Sequence, residues 1–150
     1  MSEKEFLVRK IENGTVIDHI PAGNGLKVAN ILNIEKSRYT SVILMDVESK
    51  RIGRKDVVKI ENRELSDEEV SKIALVAPNA TINIIRNWGV VEKKNVVLPK
   101  ILEGVVKCPN KTCITNSEEI TSKFIVEKEK PLKLRCYYCE RVFNRGELTI

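Results

Sequence analysis

Cys108-Pro-Asn-Lys-Thr-Cys113 and Cys136-Tyr-Tyr-Cys139, separated by 22 residues, hold every cysteine of the 150-residue chain. Pairs spaced this closely sit on tight turns. Two such turns brought together present four thiolates at the corners of a tetrahedron, the geometry a structural Zn2+ takes. A metal with four protein ligands keeps no open position for water, so it holds structure and catalyses nothing. Two disulfides would need an oxidising compartment, yet the opening Met-Ser-Glu-Lys-Glu-Phe is charged and carries no apolar export segment. A redox Cys-x-x-Cys would leave Cys108 and Cys113 without a role. The spacing therefore predicts one structural zinc held by Cys108, Cys113, Cys136 and Cys139.

Outward from that stretch, the chain divides by size. Residues 100–150 alone bury only a small core, which is where a metal staple is needed. Residues 1–99 are enough for a second domain, and Leu98-Pro99-Lys100 reads as the linker. No apolar run approaches the length that crosses a bilayer, so a cytoplasmic protein with no membrane partner is expected.

The formal charge of +5 invites a nucleic-acid reading, here a zinc-ribbon protein of transcription or translation. Its distribution argues against one. Residues 1–100 carry 17 lysines and arginines against 14 acidic residues, and residues 101–150 carry 9 against 7. Four thiolates on one Zn2+ add −2, which brings the second part to about zero. Aromatic residues are also few, so stacking platforms for single strands are scarce.

Residues 14–20 predict a strand, started by Gly14 and stopped by Pro21, with Val16, Asp18 and Ile20 on one face and Thr15, Ile17 and His19 on the other. Leu26, Ala29 and Leu32 recur at helical spacing over residues 26–33. Residues 39–47 are rich in β-branched and apolar side chains and predict a strand. A turn at 48–50 and a strand over 51–60 complete a hairpin. Strand alternation sets Ile52, Val58 and Ile60 on one face and Arg51, Lys55 and Lys59 on the other. Lys55 and Lys59 lie about 13 Å apart at their Cα atoms, a span that can bracket a polyphosphate and is equally what a solvated strand face looks like.

Ser66 and Glu69 form a capping box ahead of Val70, Ile73, Ala74 and Ala77, and Pro78 ends that helix. Residues 79–86 and 90–98 read as strands around Asn87-Trp88-Gly89. The order strand, helix, strand, strand, helix, strand matches an α+β ferredoxin-like sandwich with an antiparallel sheet and one extra strand. A small all-β, zinc-ribbon-like domain follows it, with strands expected over residues 120–126 and 132–134. Phosphate loops, nucleophile elbows and zinc-protease motifs are missing, so an enzyme is not expected.

Four separate motifs carry a resemblance that spans nearly the whole chain. Gly14-Thr-Val-Ile-Asp-His-Ile-Pro-Ala22, Gly53-Arg-Lys-Asp-Val-Val-Lys-Ile-Glu-Asn62, Ala77-Pro-Asn-Ala-Thr81 and the two cysteine pairs resemble the regulatory chains of aspartate carbamoyltransferase. The resemblance implies a non-catalytic subunit whose N-terminal domain binds CTP as inhibitor and ATP as activator, with UTP as a further candidate. It also implies a zinc domain that docks on catalytic chains, and a homodimer formed through the N-terminal domain. The implied nucleotide site comprises Val8, Arg9, Lys10 and Ile11; Val16, Asp18 and His19; Lys55 and Lys59; and Asn83, Ile85, Trp88, Val90 and Lys93. Within it the lysines and His19 suit phosphates and ribose, Asp18 suits sugar hydroxyls, and backbone groups near Ile11 and Ile85 suit a base edge. Arg9 stands where such chains are often acidic and Trp88 where a tyrosine is common, which bears on the base and ribose contacts.

Overall fold

The computed structural model describes residues 10–148. Its first part runs β1 (Gly14–Pro21), α1 (Gly25–Ile31), β2 (Ser41–Ser49), β3 (Gly53–Glu61), α2 (Asp67–Val76), β4 (Thr81–Arg86) and β5 (Gly89–Asn95). The strands form one antiparallel sheet in the order β2-β3-β1-β4-β5. This is the expected α+β ferredoxin-like arrangement with β5 added beside β4.

Both helices cover one face of the sheet. Val28 and Leu32 at α1, and Ile73, Ala74 and Ala77 at α2, close over Ile17 and Ile20 of β1, Val58 and Ile60 of β3, and Ile82 of β4. Leu26 does not share this stripe; it is exposed, and Val28 takes the buried position. The capping box forms as the sequence predicts: Glu69 donates its backbone N–H to Ser66 Oγ at 3.2 Å, and Ser66 donates its own to Glu69 Oε1 at 3.0 Å.

Two bulges break the alternation assumed from sequence. In β1 the pairing to β3 shifts between Ile17 and Ile20, with His19 at φ 58°. Ile20 therefore joins Ile17 on the core face, both fully buried, instead of sharing a face with Val16 and Asp18. In β2 the shift falls between Leu44 and Val47, with Asp46 at φ 56°. An extra residue flips the side-chain parity beyond it, as bulges do. The hairpin turn also lies at residues 50–52, so Arg51 and Ile52 belong to the turn and not to β3.

The second part contains β6 (Ile101–Glu103), α3 (Ile114–Ser117), β7 (Lys123–Lys128), β8 (Lys133–Cys136) and β9 (Val142–Asn144), its sheet ordered β6-β7-β8-β9. Compared with the expected strands, β7 and β8 start and end later in the chain. The three-residue strands β6 and β9 were not anticipated. Leu102, Phe124, Leu134 and Phe143 fill the core, and Cys108, Cys113 and Cys136 form part of its wall. Burying a side chain such as Phe124 stabilises by about 1.5–3 kcal/mol. Leu75 of α2 is fully buried in this second cluster, and Leu98 packs against both clusters, so the linker segment is itself part of the packing.

Candidate functional site

Local hydrogen bonds shape each cysteine turn. In the first, Cys113 N donates to Asn110 O at 3.0 Å, while Asn116 Nδ2 donates to the carbonyls of Cys108 at 2.9 Å and Asn110 at 2.7 Å. In the second, Glu140 N donates to Cys136 O at 2.9 Å, with Glu140 itself in the left-handed region at φ 62°. The turns face each other. Cys108 Sγ lies 3.8 Å from Cys139 Sγ, Cys113 Sγ lies 3.8 Å from Cys136 Sγ, and all four sulfurs fall within 4.8 Å of one another. All four cysteines are free. Zn–S bonds of about 2.3 Å at tetrahedral angles place sulfurs about 3.8 Å apart, so the residues present fit one structural zinc.

Protonation of the four thiols is uneven. Burial pushes Cys108 and Cys136 up. Burial opposes ionisation of Cys113 too, but the Thr115 hydroxyl, donating to its sulfur at 3.2 Å, and the Thr115 backbone N–H outweigh it, leaving Cys113 lowered to about 7. Cys139 is likewise lowered against its burial, by the Arg141 backbone and Asn110. A metal that binds thiolates therefore releases protons as it enters this cluster.

The helix-free face of the first sheet carries a cavity of about 760 Å³, within the size range of small-molecule sites. Val16 of β1, Val57 of β3 and Ile85 of β4 supply apolar lining, and Lys10 and Ile11 enter from the segment before β1. Asp18 and Lys55 line one end and pair with each other, Lys55 Nζ to Asp18 Oδ1 at 2.9 Å. Lys59 stands opposite Val16 in the register, and Val16 in turn stands opposite Asn83. Asn83 Oδ1 is buried with no hydrogen-bond partner, an acceptor aimed at nothing within the protein. Such an atom is costly unless something else satisfies it.

Trp88 and Val90 form the lip of the cavity. Arg86 pairs with Gly89 across a two-residue hairpin in which Asn87 and Trp88 take φ 52° and 70°. That is the backbone of a type I′ turn, rarely occupied by a tryptophan. Its N–H donates to Glu12 O at 2.9 Å, which holds the ring's segment beside the residues before β1.

Of the residues named from sequence, Lys10, Ile11, Val16, Asp18, Lys55, Lys59, Asn83, Ile85, Trp88 and Val90 line this cavity. Val8 and Arg9 lie outside the described residues. His19 and Lys93 are not in the lining. Lys93 stands opposite Asn83 on β5, and His19 occupies the β1 bulge with Nδ1 3.0 Å from Thr81 Oγ1. Burial lowers the His19 pKa, Asp18 acts against that, and Lys55, Arg51 and Lys93 add to it. Sequence reasoning missed Leu44, Val47, Glu48, Ser49, Lys50, Gly53 and Val57. Simple alternation puts Val57 opposite Val58 and so on the lysine face, a signal that was available. Val47 to Lys50 reach the cavity through the β2 bulge, which no residue type announces.

Two family profiles match the chain in succession. Residues 6–97 match the allosteric domain, and residues 100–149 the metal binding domain, of the aspartate carbamoyltransferase regulatory chain. The chain belongs to that family. A regulatory chain of aspartate carbamoyltransferase from Pyrococcus horikoshii is 58% identical over 146 residues, 96% of either chain. One from Saccharolobus solfataricus is 56% identical over 146 residues, 96% of this chain and 92% of its own. One from Ignicoccus hospitalis is 53% identical over 150 residues, 97% of this chain and 96% of its own. As a regulatory chain it is a non-catalytic subunit, with an allosteric part that carries the cavity and a metal-binding part that carries the four cysteines.

Proposed function

We propose that this regulatory chain binds CTP as inhibitor and ATP as activator in the cavity on the helix-free face, with UTP as a further ligand, and passes their effect to catalytic chains of aspartate carbamoyltransferase. The observation that carries this reading is the cavity itself: an apolar floor flanked by Lys55 and Lys59, with an unsatisfied acceptor at Asn83. A nucleotide brings phosphates for the cations and a base edge that can donate to Asn83. Asp18, tied to Lys55, offers its remaining oxygen to ribose hydroxyls. Lys93, opposite Asn83 in the register, and His19, which feels the charges of Lys55 and Lys93, are further candidates to meet an extended polyphosphate. With no dedicated phosphate loop, affinity should be modest, which suits a metabolite sensor.

The zinc-stabilised part serves as the docking module. Cys108, Cys113, Cys136 and Cys139 would hold the ion, which cross-links two turns and supplies no chemistry. Its near-zero net charge once the ion is counted supports a protein partner and no nucleic-acid partner. The chain pairs as a homodimer through the allosteric part and works in the cytoplasm. Control follows if nucleotides differ in affinity for two quaternary states of the assembly.

The test is carbamoyl-aspartate formation against aspartate concentration, using catalytic chains from the same source, with and without this zinc-loaded chain, each with and without CTP. A curve that shifts with CTP only when the chain is present supports the reading. A curve indifferent to the chain would sink it.

A further inference from the structure

Asp56 is fully buried and lies on the face of β3 that points away from the cavity. Its carboxylate accepts three backbone N–H groups: Oδ2 from Gly23 at 2.9 Å and Gly25 at 2.8 Å, and Oδ1 from Asp46 at 2.7 Å. These amides belong to the β1–α1 turn and the β2 bulge, two irregular segments that flank β3. Gly25 approaches so closely that a Cβ there would stand 2.8 Å from Asp56 Cβ and Oδ2. An ionised group enclosed in this way is tolerated because charge-assisted hydrogen bonds replace its water.

The bulge is clasped from the solvent side as well. Arg54 Nε donates to Asp46 Oδ1 at 3.0 Å, and its terminal nitrogen donates to the Asp46 carbonyl. Between the two clasps Asp46 is held at φ 56°, a conformation that a residue with a side chain keeps only when its surroundings enforce it. Downstream of this point Val47, Glu48, Ser49 and Lys50 turn to the cavity mouth. Asp56 is also the immediate neighbour of Lys55 and Val57, which line the cavity from the other face of the same strand.

We propose that Asp56 is a positioning residue for the cavity: by anchoring the β2 bulge to β3 it fixes the wall from Val47 to Lys50, so ligand affinity depends on a carboxylate that never touches the ligand. The inference rests on the nucleotide reading above.

Asp56→Asn keeps the shape but offers one acceptor oxygen and one NH2 group. The oxygen is expected to stay with Gly23 and Gly25, leaving the NH2 against the Asp46 amide. In the full zinc-loaded chain, CTP titration followed by fluorescence of Trp88, the sole tryptophan, should show about tenfold weaker binding. Hydrogen exchange at the Asp46 amide should quicken while Gly23 and Gly25 stay protected. The double variant Asp46→Asn, Arg54→Gln opens the outer clasp at unchanged net charge and on the exposed surface, so it tests the same wall if the buried variant fails to fold. About threefold weaker binding is expected of it. Ile73→Val, in the core beneath α2, serves as a destabilised control and should bind CTP as the wild type does. Unchanged affinity in both bulge variants, or an equal loss in the Ile73 control, overturns the positioning role. A wild-type chain that binds neither CTP nor ATP overturns the nucleotide reading and this inference with it, and the wild-type titration tells the two failures apart.

Discussion

Lys55 and Lys59 look equivalent in the sequence and are not equivalent in the fold. Strand alternation makes both legible as one face, but nothing in the chain says that Lys55 will be buried against Asp18 at 2.9 Å. Lys59 is half-buried and makes no ion pair with an acidic side chain among the described residues, so it, like Lys50 at the cavity mouth, is open to a phosphate. Lys59→Ala is expected to weaken CTP binding by about 1–3 kcal/mol with zinc content unchanged. Calorimetric titration reads this directly, and equal affinities would take Lys59 out of the site. His19 gives a pH dependence. Its lowered pKa means the unfolded chain takes up the proton more readily, so the stability owed to neutral His19 is complete above the unfolded value of about 6.5 and is lost as pH falls below it. A bound polyphosphate would reverse the balance by favouring the imidazolium. CTP binding should therefore tighten between about pH 8 and about pH 6, and His19→Asn should flatten that profile.

At the scale of elements, what could be read followed periodicity, and what could not was set by its interruptions. The capping box at Ser66 and Glu69, the helical stripe of α2 and the hairpin β2–β3 all obey local rules and sit where those rules place them. The two bulges do not, because the residues that take positive φ are His19 and Asp46 and not glycines. Their cause is largely tertiary: Asp46 is tied by Asp56 and Arg54 of the next strand, and His19 by Thr81 of β4 in addition to its neighbour Asp18. Strands β6 and β9 escaped because three residues are too few to show a period. The stripe of α2 also hides a second role, since Leu75 falls off it and enters the core of the metal-binding part. Leu75→Ala should cost about 2–5 kcal/mol, the range for truncating a fully buried leucine side chain. Denaturant unfolding measures the loss. Faster hydrogen exchange at Phe124 and Leu134 than at Ile17 and Val58 would locate it in the second core, and the opposite pattern would count against this account.

Across the whole molecule, the two cores are held by different physics. The first buries an apolar cluster between a five-stranded sheet and two helices, and its packing needs no ion. The second has a four-stranded sheet with two very short strands, and three of its wall residues are cysteines that, together with Cys139, form two pairs of sulfurs 3.8 Å apart. Without a metal, those sulfurs are left with weak S–H···S contacts, which hold the turns far less firmly than four metal–sulfur bonds do. Chelation at neutral pH is therefore expected to abolish amide protection at Phe124, Leu134 and Cys136 while Ile17, Val58 and Ile82 keep theirs. CTP should still bind, because the cavity draws no residue from the second part. Acid should act as the chelator does, since the metal binds thiolates and protons compete for them. The contact through Leu75 and Leu98 sets the limit on this independence. If protection falls equally in both parts on metal removal, that contact couples them into one cooperative unit, and the metal then stabilises the cavity as well as the metal-binding part.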